Sequence, residues 1–98
     1  MTIEGVSDGD KYIINIQGRF DFSLQSEFRQ SYEKAPPSSH FVLDFVAADY
    51  LDSSALGMLL LLRDYAGGDS ANIDIVHCRN EIKNILEISN FQKLFKIT

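Results

Sequence analysis

Hydrophobic positions along the chain follow two spacings, the alternation typical of strands and the three- or four-residue spacing typical of helices. Segments rich in β-branched and aromatic residues predict four strands, at residues 2–6, 11–17, 41–46 and 72–77. Helical spacing predicts helices at 22–33 and 80–88, and between them a helix that opens at 52–55 and ends at the Gly67-Gly68 pair. A short turn or helix at 91–95 completes the chain.

Turn-forming residues separate these segments. The sequence Asp-Gly-Asp at 8–10 predicts a hairpin turn between the first two strands. Gly18 is predicted to end the second strand, and the two prolines within 35–39 stop the first helix. Residues 47–50 are expected to form a loop, and Asn90 to break the chain after the last long helix.

The two longest apolar segments carry further expectations. The run at 41–46 is nearly continuous, which is typical of a strand covered on both faces. The leucine-rich helix after residue 52 is apolar almost all round, so it should lie deep in the domain or also face a partner. The first helix, with Asp21 or Ser23 as its N-cap, carries one apolar stripe: Phe22, Leu24, Phe28 and Tyr32.

The element order is therefore β-β-α-β-α-β-α. Strands that alternate with helices are joined by right-handed parallel crossovers. We predict a single layered α/β domain over residues 1–98, with a mixed sheet and an antiparallel hairpin at its start. A chain of 98 residues is long enough for one such domain and its core.

Charge and composition exclude several classes of protein. The chain has 9 Lys and Arg against 14 Asp and Glu, a net charge of −5. This balance argues against binding to nucleic acid or to an anionic membrane surface. No apolar stretch is long enough to span a membrane, and residues 1–8 lack the features of a secretion signal. A single cysteine, Cys78, excludes an internal disulfide, and we expect a cytoplasmic protein.

The residues offer little for catalysis or metal binding. His77 and Cys78 are adjacent and would point to opposite sides of a strand, while His40 is far away in the sequence. A serine nucleophile needs a base, and of the two histidines only His77 falls at the same end of the sheet as Ser53. Glycine-rich phosphate loops are absent from the sequence. We therefore expect no enzyme, no metal and no cofactor.

The start of the second long helix is the remaining candidate site. Ser53 and Ser54 fall where a helix presents unpaired N–H groups and a partial positive charge. A phosphoryl group on either serine would meet these donors, and Asp49 and Asp52 would make the site strongly anionic. The alternative is that Asp52 or Ser53 does no more than cap the helix.

The segment Leu-Asp-Ser-Ser-Ala-Leu-Gly at 51–57 resembles the STAS domain, and within it the bacterial anti-sigma factor antagonists. Their hallmark is Asp-Ser-Ser/Thr-Gly-Leu-Gly at a helix start after a buried strand, and Ala55 replaces its first glycine here. Segments 16–22, 41–45 and 89–97 are similar to other parts of the family pattern. The resemblance covers nearly the whole chain.

The resemblance implies a binding protein without catalysis of its own. In this family a partner serine kinase of GHKL type, usually also the anti-sigma factor, phosphorylates the serine after the aspartate, which is Ser53 here. The unmodified form binds this partner, phosphorylation releases it, and a PP2C-type phosphatase restores the unmodified form. The same resemblance implies acidic or partner-binding positions beside the phosphoacceptor: Asp21, Asp52, Ser54, Ala55, Leu56 and Gly57.

Two properties of these positions bear on docking. Gly57, without a side chain, lets another backbone approach, and the methyl group of Ala55 is expected to alter that approach slightly.

Two other hypotheses about the function remain open. One is a STAS module with a non-sigma role, such as a regulator of another output or an accessory subunit of a transporter. The other is a small enzyme.

Overall fold

The computed structural model describes residues 3–98, and within them it contains five strands and three α-helices. In chain order these are β1 (Ile3–Asp8), β2 (Lys11–Phe20), α1 (Gln25–Tyr32), β3 (His40–Leu51), α2 (Ser53–Tyr65), β4 (Ile73–Val76), α3 (Asn80–Ile88) and β5 (Lys96–Ile97). Short 3-10 turns lie at Phe22–Leu24, Gly68–Ser70 and Phe91–Lys93. The predicted order of elements is confirmed, with β5 added at the end.

The strands form one sheet in the order β1-β2-β3-β4-β5. β1 and β2 are antiparallel, and the three following pairs are parallel. The predicted hairpin turn is present, and Gly9 adopts the positive φ of +65° that such turns favour. The mixed α/β architecture predicted from the sequence is confirmed.

The core lies on one side of the sheet. Along β3 the side chains of Phe41, Leu43 and Phe45 are buried, Asp44 is half-buried, and Val46 is 67% exposed. β2 and β4 show the same alternation, which is typical of a sheet with one covered face. The expectation that β3 is covered on both faces was therefore wrong. The run is apolar on both faces of the strand, but only the face of Phe41, Leu43 and Phe45 is buried.

Two predicted strand ends were also wrong. The expected loop at 47–50 is part of β3, because Gln17–Phe20 of β2 continue to pair with Ala47–Leu51. Gly18 does not end β2. It has a φ of +73° and lies between two shifts of the β2/β3 register, so it accommodates an irregularity within the strand.

The first helix begins later than predicted. A 3-10 turn occupies Phe22–Leu24, and α1 starts at Gln25. Leu24, Phe28 and Tyr32 are buried as expected, but Phe22 is 64% exposed and does not belong to the core stripe. Asp21, one of the two expected N-caps, caps the 3-10 turn through a hydrogen bond from the Ser23 backbone N–H, while α1 itself follows Leu24 without a side-chain cap.

The second helix is confirmed at both ends. It begins after Asp52, and Gly67 follows its C-terminus with a φ of +112°. Its buried face packs on the core through four residues: Ala55, Met58, Leu59 and Leu62. Leu60 and Leu61 are exposed, so this helix both packs on the core and presents apolar groups outward.

The chain termini differ slightly from the predictions. β1 runs to Asp8, beyond the predicted residue 6, and residue 2 of that predicted strand lies outside the described residues. The C-terminal segment, predicted as a turn or helix, also forms the short strand β5 beside β4. Asn90 breaks the chain with a φ of +62°, as predicted, but Ile88 of the predicted apolar stripe is 83% exposed. Within residues 3–98 no helix is long and apolar enough to span a membrane.

Candidate functional site

The candidate site lies where β2 and β3 end side by side. Phe20 and Leu51, the last residues of these parallel strands, are paired in register. Adjacent strands are about 5 Å apart. The next residues, Asp21 and Asp52, therefore occupy equivalent places at the same edge of the sheet. Both keep an extended backbone before the chain turns into a helix.

Asp52 is the N-cap of α2. Its Oδ1 atom accepts hydrogen bonds from the backbone N–H groups of Ser54 and Ala55, at 3.1 and 3.2 Å. The same oxygen accepts the Ser54 hydroxyl at 2.6 Å. Asp52 therefore satisfies two of the N–H groups that a helix start leaves unpaired.

The two serines of the site have different surroundings. Ser54 is half-buried and its hydroxyl is held by Asp52. Ser53, the first residue of α2, is exposed, and its hydroxyl has no hydrogen-bond partner in the described part of the chain. Of the two hydroxyls, that of Ser53 is thus the one available to an incoming group.

Asp21 forms a second cap of the same design. Its Oδ1 atom accepts the backbone N–H of Ser23 at 3.0 Å and the Ser23 hydroxyl at 2.5 Å. These bonds, the hydroxyl bond foremost, lower the pKa of the Asp21 carboxyl from its usual value, and Arg19 adds to the effect from 3.6 Å. The carboxylate is therefore charged at neutral pH.

Phe22 holds the same place after Asp21 that Ser53 holds after Asp52, and both side chains are exposed. Helical spacing alone placed Phe22 in the core. The repeated pattern Asp-x-Ser, at 21–23 and at 52–54, was the signal in the sequence that could have identified it. Nearby, the Arg19 guanidinium lies 3.8 Å from the centre of the Tyr50 ring, a cation–π contact.

The exposed face of α2 continues from Ser53. Residues three and four positions apart on a helix share one face, and here that face is exposed throughout: Ser53, Gly57, Leu60, Leu61 and Asp64. A Cβ atom added to Gly57 would meet no atom within 4 Å, so packing within the domain does not require a glycine there. Beside Leu61 a groove of about 150 Å³ runs between α1 and α2.

Two of the predicted partner-binding positions are not on this face. Ala55 is fully buried, with 0% of its surface exposed, so its methyl group cannot meet a partner. The expectation that Ala55 alters a partner's approach was therefore wrong. Leu56 is half-buried and packs partly against the core.

The histidines and the cysteine form no site with Ser53. His40 pairs with Asp74 at 3.1 Å, and His77 pairs with Asp44 at 3.0 Å. β3 continues seven residues beyond Asp44, roughly 20 Å of strand, before it reaches the edge that carries Ser53. Across residues 3–98, no three His, Cys, Asp or Glu side chains are grouped to hold a metal ion.

Cys78 is half-buried and packs against the core. Burial is the main reason that the pKa of its thiol is raised to about 11; Lys83 lowers this pKa and Asp44 adds to the rise. The thiolate is the reactive form of cysteine, so the raised pKa lowers the reactivity expected of Cys78 at neutral pH.

Comparison with known proteins places this chain in a family. The model of the family described as "Mlab, STAS domain" matches residues 5–97. A STAS-domain containing protein of Pseudomonas aeruginosa is 54% identical over 93 residues, which cover 94% of this chain and 92% of that protein.

Two solved structures share the fold. An anti-sigma factor antagonist from Mycobacterium paratuberculosis superposes with a TM-score of 0.81 at 17% identity, over 98% of this chain and 83% of that one. A sulfate transporter family protein from Wolinella succinogenes superposes with a TM-score of 0.74 at 13% identity, over 90% and 73%. At these identities the structures establish the common fold, and the family match establishes that the chain belongs to the STAS domain family.

Proposed function

We propose that this protein is a phosphorylation-switched regulatory binding protein, an anti-sigma factor antagonist whose phosphoacceptor is Ser53. In its unmodified form it binds a partner that is both a serine kinase and an anti-sigma factor. Phosphorylation of Ser53 releases the partner, and a serine phosphatase restores the unmodified form. The protein acts by binding and carries out no catalysis itself.

The observation that carries this proposal is the difference between the two serines. Asp52 holds the hydroxyl of Ser54 at 2.6 Å, whereas the hydroxyl of Ser53 is exposed at the first position of α2. A kinase can bind and phosphorylate the Ser53 hydroxyl without breaking the hydrogen bonds of the Asp52 cap, and the helix start then stays intact. Phosphorylation of Ser54 would have to disrupt that hydrogen bond.

The Asp52 cap also determines where the negative charge of a phosphoryl group on Ser53 acts. A phosphoryl group carries about −1.5 to −2 charges at neutral pH. Because Asp52 already accepts the N–H groups of Ser54 and Ala55, these donors are not free to neutralise it. Asp21 and the exposed Asp49 add negative charge around the site. The phosphate therefore turns outward, as a concentrated charge on the surface that a partner must desolvate.

The expected loss of binding free energy on phosphorylation is large enough for a switch. Taking the charge of a phosphoryl group out of water at a fitted interface costs several kcal/mol, and each ~1.4 kcal/mol weakens binding tenfold. The fold itself need not change, since Ser53 contributes no contact to the core. The partner is of the GHKL kinase type and the phosphatase of the PP2C type, by the resemblance of residues 51–57 to the antagonist motif.

A transporter accessory subunit is the second candidate, because a sulfate transporter family protein shares the fold. An accessory subunit needs no modified serine. The state of Ser53 in the cell therefore separates the two functions.

The experiment is to recover the protein from its own cells under several growth conditions and to measure its intact and peptide masses. Ser53→Ala and Ser54→Ala variants are treated in the same way. We expect one phosphoryl group that maps to Ser53, persists in Ser54→Ala and is lost in Ser53→Ala. A protein that is unmodified under every condition would overturn the proposal in favour of the accessory subunit, and modification only at another residue would refute Ser53 as the phosphoacceptor.

A further inference from the structure

We infer that Phe22 is an anchor residue of the partner interface, and that the kinase recognises Ser53 together with this aromatic side chain. The inference rests on the proposed function and extends it. It assigns part of the recognition to a segment between β2 and α1, outside the motif at 51–57.

The first step is position. Phe20 and Leu51 are paired in the last step of the β2/β3 register. Each strand is followed by an aspartate that acts as an N-cap, and the next residue begins a helical segment. That residue is Phe22 after β2 and Ser53 after β3. Phe22 and Ser53 therefore leave the sheet edge from neighbouring, equivalent points. A partner that covers Ser53 meets Phe22 at the same edge.

The second step is exposure. Phe22 is 64% exposed, although it opens a turn whose next apolar residue, Leu24, is buried. The interior of this region is already filled, since the rings of Phe20 and Phe28 pack edge-to-face at 5.1 Å. The position of Phe22 is fixed by the Asp21 cap, whose two bonds to Ser23 hold the turn in which it lies. A large aromatic side chain that is exposed on a turn of fixed backbone is of the type enriched at protein interfaces.

The third step is the chemistry of the partner. Phe22 directly follows Asp21, and the exposed Asp49 and the half-buried Asp52 lie near the end of the adjacent strand β3. Arg19, at the end of β2, is engaged with Asp21 and with the Tyr50 ring. The matching surface is therefore an apolar pocket for the ring, with a lysine or arginine side chain where its rim faces Asp21. This occupant is a protein, and on the proposed function it is the serine kinase.

The test measures the initial rate of phosphate transfer to Ser53 in extracts of the protein's own cells with labelled ATP. Phe22→Ala, Phe22→Leu and the wild-type protein are compared. Ile88→Ala is the matched control, because Ile88 is also an exposed apolar residue, at 83%, but lies at the end of α3. Thermal unfolding of each variant checks that the domain is intact.

We expect Phe22→Ala to lower the rate about tenfold or more, in line with loss of a hot-spot side chain. Phe22→Leu should retain part of the rate, and Ile88→Ala all of it. Equal rates for Phe22→Ala and wild type, with Ser53 phosphorylated in both, would overturn the inference and leave the proposed function standing. Absence of phosphate from Ser53 of the wild-type protein would refute both.

Discussion

The hydroxyl of Ser54 donates a hydrogen bond of 2.6 Å to the Oδ1 atom of Asp52, and this contact gives the two adjacent serines different roles. One serine is committed to the helix cap. The other, Ser53, keeps a free hydroxyl at the surface. Ser53 can therefore be phosphorylated and dephosphorylated without any change in the hydrogen bonds of the helix N-cap.

Asp52→Ala should lower the free energy of unfolding by about 1 kcal/mol, within the usual range of ~0.5–2 kcal/mol for an N-cap. The reason is the loss of the acceptor for the N–H groups of Ser54 and Ala55. Asp52→Asn is the control, since it keeps an acceptor and removes only the charge, and it should cost no more than a few tenths of a kcal/mol. Urea unfolding measures both. Equal losses for the two variants would show that the charge, and not the cap, stabilises the helix.

Gly57→Ala should stabilise the domain by about 0.5–1 kcal/mol, because glycine is a poor residue inside a helix and the added Cβ meets no atom within 4 Å. Gly57→Gln should fold equally well but slow the phosphorylation of Ser53 at least severalfold, since it fills the exposed face that the partner approaches. Thermal unfolding and the labelled-ATP assay measure the two effects. An unchanged rate for Gly57→Gln would place Gly57 outside the interface.

Ala55→Gly restores the glycine of the antagonist motif, and it should destabilise the domain by about 1–2 kcal/mol. The loss combines the helix propensity of alanine with the burial of its methyl group, which is 0% exposed. The rate of Ser53 phosphorylation in the folded variant should not change, because the methyl group does not reach the surface. A change in that rate without a change in stability would contradict this assignment.

Cys78 should react slowly with iodoacetamide at pH 8. Its thiol pKa of about 11 lies above the reference value of 9.0, so the reactive thiolate is about a hundredfold scarcer than in an unperturbed thiol. N-acetylcysteine is the control, and the rate for Cys78 should keep rising toward pH 11 after the rate for the control has levelled off. A reaction as fast as the control at pH 8 would show that the thiol is not buried as described.

The sequence was sufficient for the fold class and for the cap. Alternation and helical spacing predicted every long element, and the Asp-Ser-Ser segment predicted the helix start at Asp52. These features are local, since a cap and a turn are decided by a few neighbouring residues. The resemblance of the motif at 51–57 to the STAS domain agrees with the family match over residues 5–97.

What the sequence did not reveal depends on contacts between distant segments. Residues 47–50 have the composition of a loop, yet pairing with β2 makes them a strand. Phe22 fits a helical stripe, yet it is exposed at the edge of the sheet where β2 and β3 end in register. Ala55 falls within the motif, yet the packing of α2 buries it. In each case tertiary structure overrides a local pattern.

The most direct test is the affinity of the two phosphorylation states for the kinase that modifies Ser53, purified from the same cells by that activity. Isothermal titration compares the unmodified protein with protein carrying phosphoserine at position 53. We expect phosphorylation to weaken binding at least tenfold, while the thermal unfolding of the domain stays the same. Equal affinities for the two forms would show that a charge on Ser53 does not control release of the partner.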